Sequence, residues 1–185
     1  MFILCYNYYM DLSLVFSQHF ELANARNVAA FVEYFEDAET RGITLTERSA
    51  AFILEAAAGS SKEYGRILLD PSLPERVAMK FSQSDFLSDF NFAGTVAAVL
   101  DQILRVQSET GDAFSDAELV NEFFDFFESR NCAGSISLIE DYATQIIERF
   151  NLGSGDPLSR EELSFTTFDF KGFKDAADTK EEDEQ

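Results

Sequence analysis

Residues 110–124 read TGDAFSDAELVNEFF, and residues 154–168 read SGDPLSREELSFTTF. The two stretches share Gly, Asp, Ser, Glu, Leu and Phe at matching places, 44 residues apart. A pattern that recurs at fixed spacing marks a repeated supersecondary unit. In each copy a Ser stands three residues before a Glu, the order of a capping box in which the Ser side chain accepts from the third helical N–H while the Glu reaches back. Val99, Ile103 and Val106 precede the first copy at helical spacing, and Ala143, Ile147 and Phe150 precede the second. Each copy therefore reads as an amphipathic helix, a loop of about twelve residues and a capped second helix.

The same period runs through most of the chain. Val28, Phe31, Val32 and Phe35 fall on one helical face, as do Val96, Val99, Leu100 and Ile103, and Leu138 and Ile139 with Tyr142, Ile146 and Phe150. Further capping boxes are expected at Thr44…Glu47, Ser60…Glu63, Ser72…Glu75, Ser137…Glu140 and Ser159…Glu162, beside Ser115…Glu118. Gly42, Gly59, Gly111, Gly134 and Gly153 lie between periodic runs as stops. Pro71 and Pro74 mark one break and Pro157 another. No stretch alternates long enough to demand a sheet. The fold class predicted is all-α.

The formal charge is −20 over 185 residues. That balance opposes nucleic acid and anionic membranes and favours basic partners or cations. Phe is abundant at 20 residues and Trp is absent, so Phe carries the burial. Cys5 and Cys132 are too few and too far apart for a disulfide framework or a zinc site, which points to a reduced, intracellular, cytoplasmic setting. The opening MFILCYNYYM lacks a basic leader and reads as a short packed element, and nothing approaches the length of a membrane span. The tail from Asp175, rich in acid, is expected to be disordered. The FTTFDFKGF stretch before it is too apolar for a free tail.

The helix–loop–helix grammar also fits residues 36–47, with Ile43 eighth, Thr44 ninth and Glu47 twelfth, and more weakly 74–85, with Phe81, Ser82 and Asp85 in those places. Residues 107–118 and 151–162 complete the set, with Phe114 and Leu158 eighth and Glu118 and Glu162 twelfth. This grammar resembles the EF-hand, and four units at such spacing resemble the calmodulin and myosin-light-chain superfamily over roughly residues 24–168. The resemblance implies four degenerate units in two lobes: an apolar lead-in over 1–23, lobes at 24–92 and 93–173, and an acidic tail over 174–185. A calcium loop needs oxygen ligands at positions 1, 3, 5, 9 and 12 and a glycine at 6. No frame begins with Asp, Arg41 stands where the first frame needs glycine, and Pro74, Arg76 and Ala78 cannot ligate as required. The loops are expected to be connectors without metal or cofactor, each twelfth-position acid capping its helix.

What the resemblance implies about function is capture of a basic amphipathic helix of a larger protein in Phe-lined grooves, independent of calcium. The residues expected to line them are Phe31, Phe35 and Phe52 in the first lobe, and Phe123, Phe126, Phe127, Ile146 and Phe150 in the second. NEFFDFFESR wraps Phe around most of a helix, and Glu118, Glu122 and Asp125 rim its other side. Catalysis has little support: His19 is the sole histidine, Cys132 has no neighbouring histidine, and no phosphate loop or hydrolase motif appears. Two alternatives stay open. The chain could mimic nucleic acid and inhibit a DNA- or RNA-binding protein, or sense calcium weakly through 151–162.

Overall fold

The apolar runs fold as helices with their buried faces where the periodicity puts them. A computed structural model describes residues 22–38, 40–66, 68, 71–153 and 157–158. Among these the chain forms α1 (Ala25–Glu36), α2 (Glu47–Glu63), α3 (Ser72–Phe81), α4 (Phe92–Glu109), α5 (Asp116–Glu128) and α6 (Ile136–Leu152), with no strand. The lead-in before Leu22, the FTTFDFKGF stretch, the acidic tail, and most of the second copy of the opening repeat lie outside the described residues.

The buried positions repeat. Val28, Phe31 and Phe35 of α1 recur 46 residues later as Pro74, Val77 and Phe81 of α3, and again as Val120, Phe123 and Phe127 of α5. In the alternate helices, Ala50, Ile53, Leu54 and Ala57 of α2 recur after the same interval as Val96, Val99, Leu100 and Ile103 of α4. A 43-residue step then leads to Ile139, Tyr142, Ala143 and Ile146 of α6. The contacts follow that register. Each helix packs on its chain neighbour and on the helix one further along, so that α4 lies between α2 and α6, and α3 between α1 and α5. Backbones three or more helices apart do not approach closely. The result is three stacked hairpins, α1/α2, α3/α4 and α5/α6, in two layers, the organisation of a helical solenoid in which each repeat rests on its neighbours.

Stacked helices run parallel, so like ends meet. At one end lie the connections inside the hairpins. Arg41 pairs with Asp85, Asp89 accepts from the Thr44 N–H at 2.8 Å, and Ser84 donates to Glu128. At the other end lie the connections between hairpins. There Ser108 donates to the Tyr64 carbonyl at 3.0 Å and Arg66 pairs with Asp112. This end is made by glycine. Gly65, Gly111 and Gly153, at φ 65°, 61° and 61°, end α2, α4 and α6 in the left-handed region that favours glycine. After α2 and α4 the next residue closes back: the Arg66 N–H donates to Ser61 O at 2.7 Å and the Asp112 N–H to Gln107 O at 2.9 Å. The opening GD of TGDAF is thus a helix stop, and the Ser three residues on starts the next hairpin.

Of the expected capping boxes, Ser115…Glu118 is a complete one, with both reciprocal bonds formed. The others differ. Thr46 rather than Thr44 caps α2, Ser60 and Glu63 lie inside α2, and Ser72 is the first residue of α3 behind Pro71. Ser135 rather than Ser137 precedes α6, and Ser159 and Glu162 fall outside the described residues. Ser with Glu three residues on is frequent in an acidic chain, and a mid-helix Ser finds other partners: Ser60 donates to Asp101 on α4 at 2.6 Å. Likewise Gly59 is no stop but an exposed residue within α2. Replacing Ser115 by Ala should cost about 1 kcal/mol of stability, read by urea denaturation, because the Glu118 N–H at the head of α5 loses its acceptor. A neutral result would mean that water replaces the cap at no cost.

One expectation needs correction and one boundary can be placed on the structure. Residues 74–85 were expected as a loop, but α3 runs through Phe81, because Pro71 and Pro74 occupy the N-cap and first turn, where proline's missing N–H is no loss. And the boundary expected at 92/93 falls at the start of α4, whose apolar face is shared by both flanking hairpins. One continuous core runs from Leu22 to Ile147.

Candidate functional site

Six of the eight apolar side chains expected to line two open grooves lie in that core. Phe31, Phe35, Phe123, Phe126, Phe127 and Ile146 are buried. Phe127 meets Phe81 at 5.3 Å between ring centroids, Phe126 stacks on Tyr142 at 4.1 Å, and Phe123 meets Tyr142 edge-on at 5.9 Å. Phe35 packs on Phe92 at 5.5 Å, and Phe150, half-buried, packs on Phe114 at 5.9 Å. The physical reason lies in the two layers. A helix with Phe around most of its girth is sandwiched, with α3 on one side and α6 on the other. Of the eight apolar residues, Phe52 alone is exposed, at 50%.

The three expected rim acids are also engaged. Glu118 accepts from Ser115 N–H and Oγ at 2.8 and 2.7 Å, and those bonds hold its carboxyl below the usual range. As expected for a twelfth-position acid, it caps a helix. Glu122 accepts from the Tyr142 hydroxyl, and Asp125 is exposed on α5. Position 1 of the same frame, Gln107, is buried in α4 and donates to Asp116 at 2.6 Å. These ligand-type side chains serve caps and interhelical bonds. Among the described residues no group of three or more His, Cys, Asp or Glu side chains could hold a metal ion.

Other polar side chains among the described residues tie the helices together. Asp101 of α4 takes bonds from Ser60, Tyr64 and Gln102, and Arg105 reaches Thr144 of α6 at 3.3 Å, so one polar chain ties α2, α4 and α6. Burial and then the charge of Asp101 push the Tyr64 hydroxyl above its ordinary value. Cys132 is buried, its thiol donates to Ser135 O at 3.3 Å, and burial raises its pKa, the opposite of an activated nucleophile. His19 and Cys5 lie outside the described residues.

Among the described residues two open hollows stand out. A groove of about 340 Å³ lies between α3 and α5, lined by Arg76, Met79, Lys80, Gln83, Ala117, Val120 and Asn121. Its cations are partly engaged: Arg76 pairs with Asp116 at 3.2 Å, and the Lys80 ammonium stands 4.8 Å over the Phe124 ring. A second hollow, about 350 Å³, lies at the end of α2 against Leu22 and Leu68.

The exposed aromatic rings mark a different place. Tyr34, Phe52, Phe86 and Phe90 are 48, 50, 43 and 99% exposed. Tyr34 is in the last turn of α1, Phe52 in the second turn of α2, and Phe86 and Phe90 in the connection before α4, so all four sit at the end that carries the intra-hairpin connections. The sequence reading found Phe52 but missed the other three. Tyr34 lies off the apolar face of α1, and SDFLSDFN, with Ser, Asp and Asn between its apolar residues, carries the signal of a turn rather than of a helix face around Phe86 and Phe90.

Among the described residues no helix is long and apolar enough to cross a membrane. No curated protein and no solved structure matches the chain. A family model matches residues 30–155, from within α1 to just past α6, which is the stack of hairpins itself. The chain belongs to that family, DUF6323, a family of unknown function.

Proposed function

We propose that this protein is a non-catalytic binding subunit that holds a segment of a larger protein against the surface of its hairpin stack. The observation that carries the reading is the stack itself. Repeats that touch only their neighbours build extended surfaces rather than enclosed pockets, and such surfaces serve recognition of other chains. Exposed Tyr34, Phe52, Phe86 and Phe90 supply the kind of rigid aromatic area that anchors protein interfaces. The high negative charge supports a basic partner. The EF-hand-like reading enters in reduced form: frames 36–47 and 107–118 join consecutive helices and act as connectors without metal. Engagement is then constitutive. Saturating calcium is expected to leave the melting temperature unchanged, because a ligand raises stability only if it binds the native state. A clear rise would instead favour the weak calcium sensor, with 151–162 as its site.

The test is capture of the tagged protein from its native cell with chelator and a high-salt wash, read by mass spectrometry. One stoichiometric partner that survives both supports the reading. Recovery of nucleic-acid-binding proteins that wash off in salt would favour the mimic, whose attraction is electrostatic and screened.

A further inference from the structure

Within that binding-subunit reading, we propose that the docking site is the aromatic end of the stack and that its occupant is a cationic amphipathic helix of a partner protein. Phe90 is 99% exposed, yet the connection that carries it is tightly built. Ser84 Oγ accepts from the Phe86 N–H at 3.1 Å, Asn91 Oδ1 accepts from the Ser88 N–H at 2.8 Å, and Asn91 Nδ2 donates to Phe86 O at 3.2 Å. The Phe86 ring stands edge-on to Phe127 of the core at 6.1 Å, and its Cβ lies against Gly134. The Arg41–Asp85 pair and the Asp89 bond to Thr44 fasten this connection to the one between α1 and α2. A large apolar ring held in water on an ordered loop has met the ordering cost of binding in advance.

The charge around it identifies the occupant. The last turn of α1 holds Glu33 and Glu36, followed by Asp37 at the C-cap, and has no basic residue. The last turn of α5 holds Asp125 and Glu128 and likewise has none. Carboxylates at helix C-termini oppose the negative end of the dipole, so α1 and α5, though not α3 with Lys80 in its last turn, carry at this end an arrangement that lowers their own stability. Lys and Arg side chains of a bound helix relieve it, and an apolar stripe on the same helix covers Phe52, Phe86 and Phe90. The α3/α5 groove, with Arg76 and Lys80 on its walls, repels the same ligand.

The probe is a fluorescent Leu/Lys amphipathic peptide of about 18 residues, five helical turns, with a scrambled peptide of equal charge beside it. Binding is read by anisotropy at physiological salt on the full chain. The comparison is between native protein, Phe52→Ala with Phe90→Ala, and Leu152→Ala at the opposite end. All three positions are exposed, so circular dichroism should be unchanged. We expect the amphipathic peptide to bind the native chain and to lose at least about tenfold in affinity, roughly 1.4 kcal/mol, in the double variant but not in Leu152→Ala. Native-like affinity in the double variant overturns the site, while a captured cellular partner would keep the binding-subunit reading standing. Equal binding of the scrambled peptide, or no binding of either, overturns the occupant.

Discussion

Replacing Phe126 and Phe127 together by Ala is expected to unfold the protein. Phe127 packs against Phe81 of α3, and Phe126 stacks on Tyr142 of α6, so the pair reaches out of α5 in both directions along the stack. Both are buried. Truncating a buried Phe costs about 3–5 kcal/mol, because the lost transfer energy adds to that of the cavity left behind. The two together rival the whole stability of a domain of this size, about 5–15 kcal/mol. Far-UV circular dichroism at room temperature is the check: helicity should fall sharply, or the melting transition should drop far below the native one. A double variant that stays as helical and as heat-stable as the native chain would show that these rings are not core, and would return them to the exposed groove expected from sequence.

Gly134→Ala comes second in size. At φ 79° the backbone is in the left-handed region, which costs a residue with a Cβ about 1–2 kcal/mol. The Cβ would also meet Phe86 Cβ at 2.7 Å and Cγ at 2.9 Å, closer than carbon atoms tolerate. Overpacking of this kind adds about 1–3 kcal/mol, because the neighbour is the root of a side chain rather than its flexible end. We expect a total loss of about 2–5 kcal/mol by urea denaturation, the sum of those two costs. Ala133 offers the matched control. It sits at φ 46°, so Ala133→Gly relieves strain while making the unfolded chain more flexible, and the net change should stay under about 1 kcal/mol. If Gly134→Ala proves as mild as Ala133→Gly, the connection before α6 yields easily, and Phe86 is less firmly held than its contacts imply.

The same two sites show where sequence reading stops. That residues 121–128 form a helix is legible from the spacing of Phe123, Phe126 and Phe127 and from Ser115 and Glu118 at its head, because helix formation is governed by interactions within a few residues. Which Phe faces a neighbour and which faces water is not, because α3 and α6 approach α5 from distant parts of the chain. The same holds for Gly134. Its left-handed backbone is foreshadowed by its place between two apolar runs, but its contact with Phe86 depends on two connections lying side by side.

What the sequence by itself determined was the helical class, the inward faces of α1, α4 and α6, the complete cap on α5, and a repeated unit near 44 residues with glycine stops. These are local properties, set by side-chain periodicity and by backbone donors that need acceptors close by. Only the tertiary structure decided that the repeat stacks as three hairpins over one core, with α4 at the centre. Helix-turn-helix grammar is common to many assemblies, and the choice among them rests on how shape-matched apolar faces such as Leu54, Leu100 and Ala143 pack across more than forty residues of chain. That packing drew the expected groove aromatics inward and left Phe90 in water, because only one side of a loop can face a finite stack.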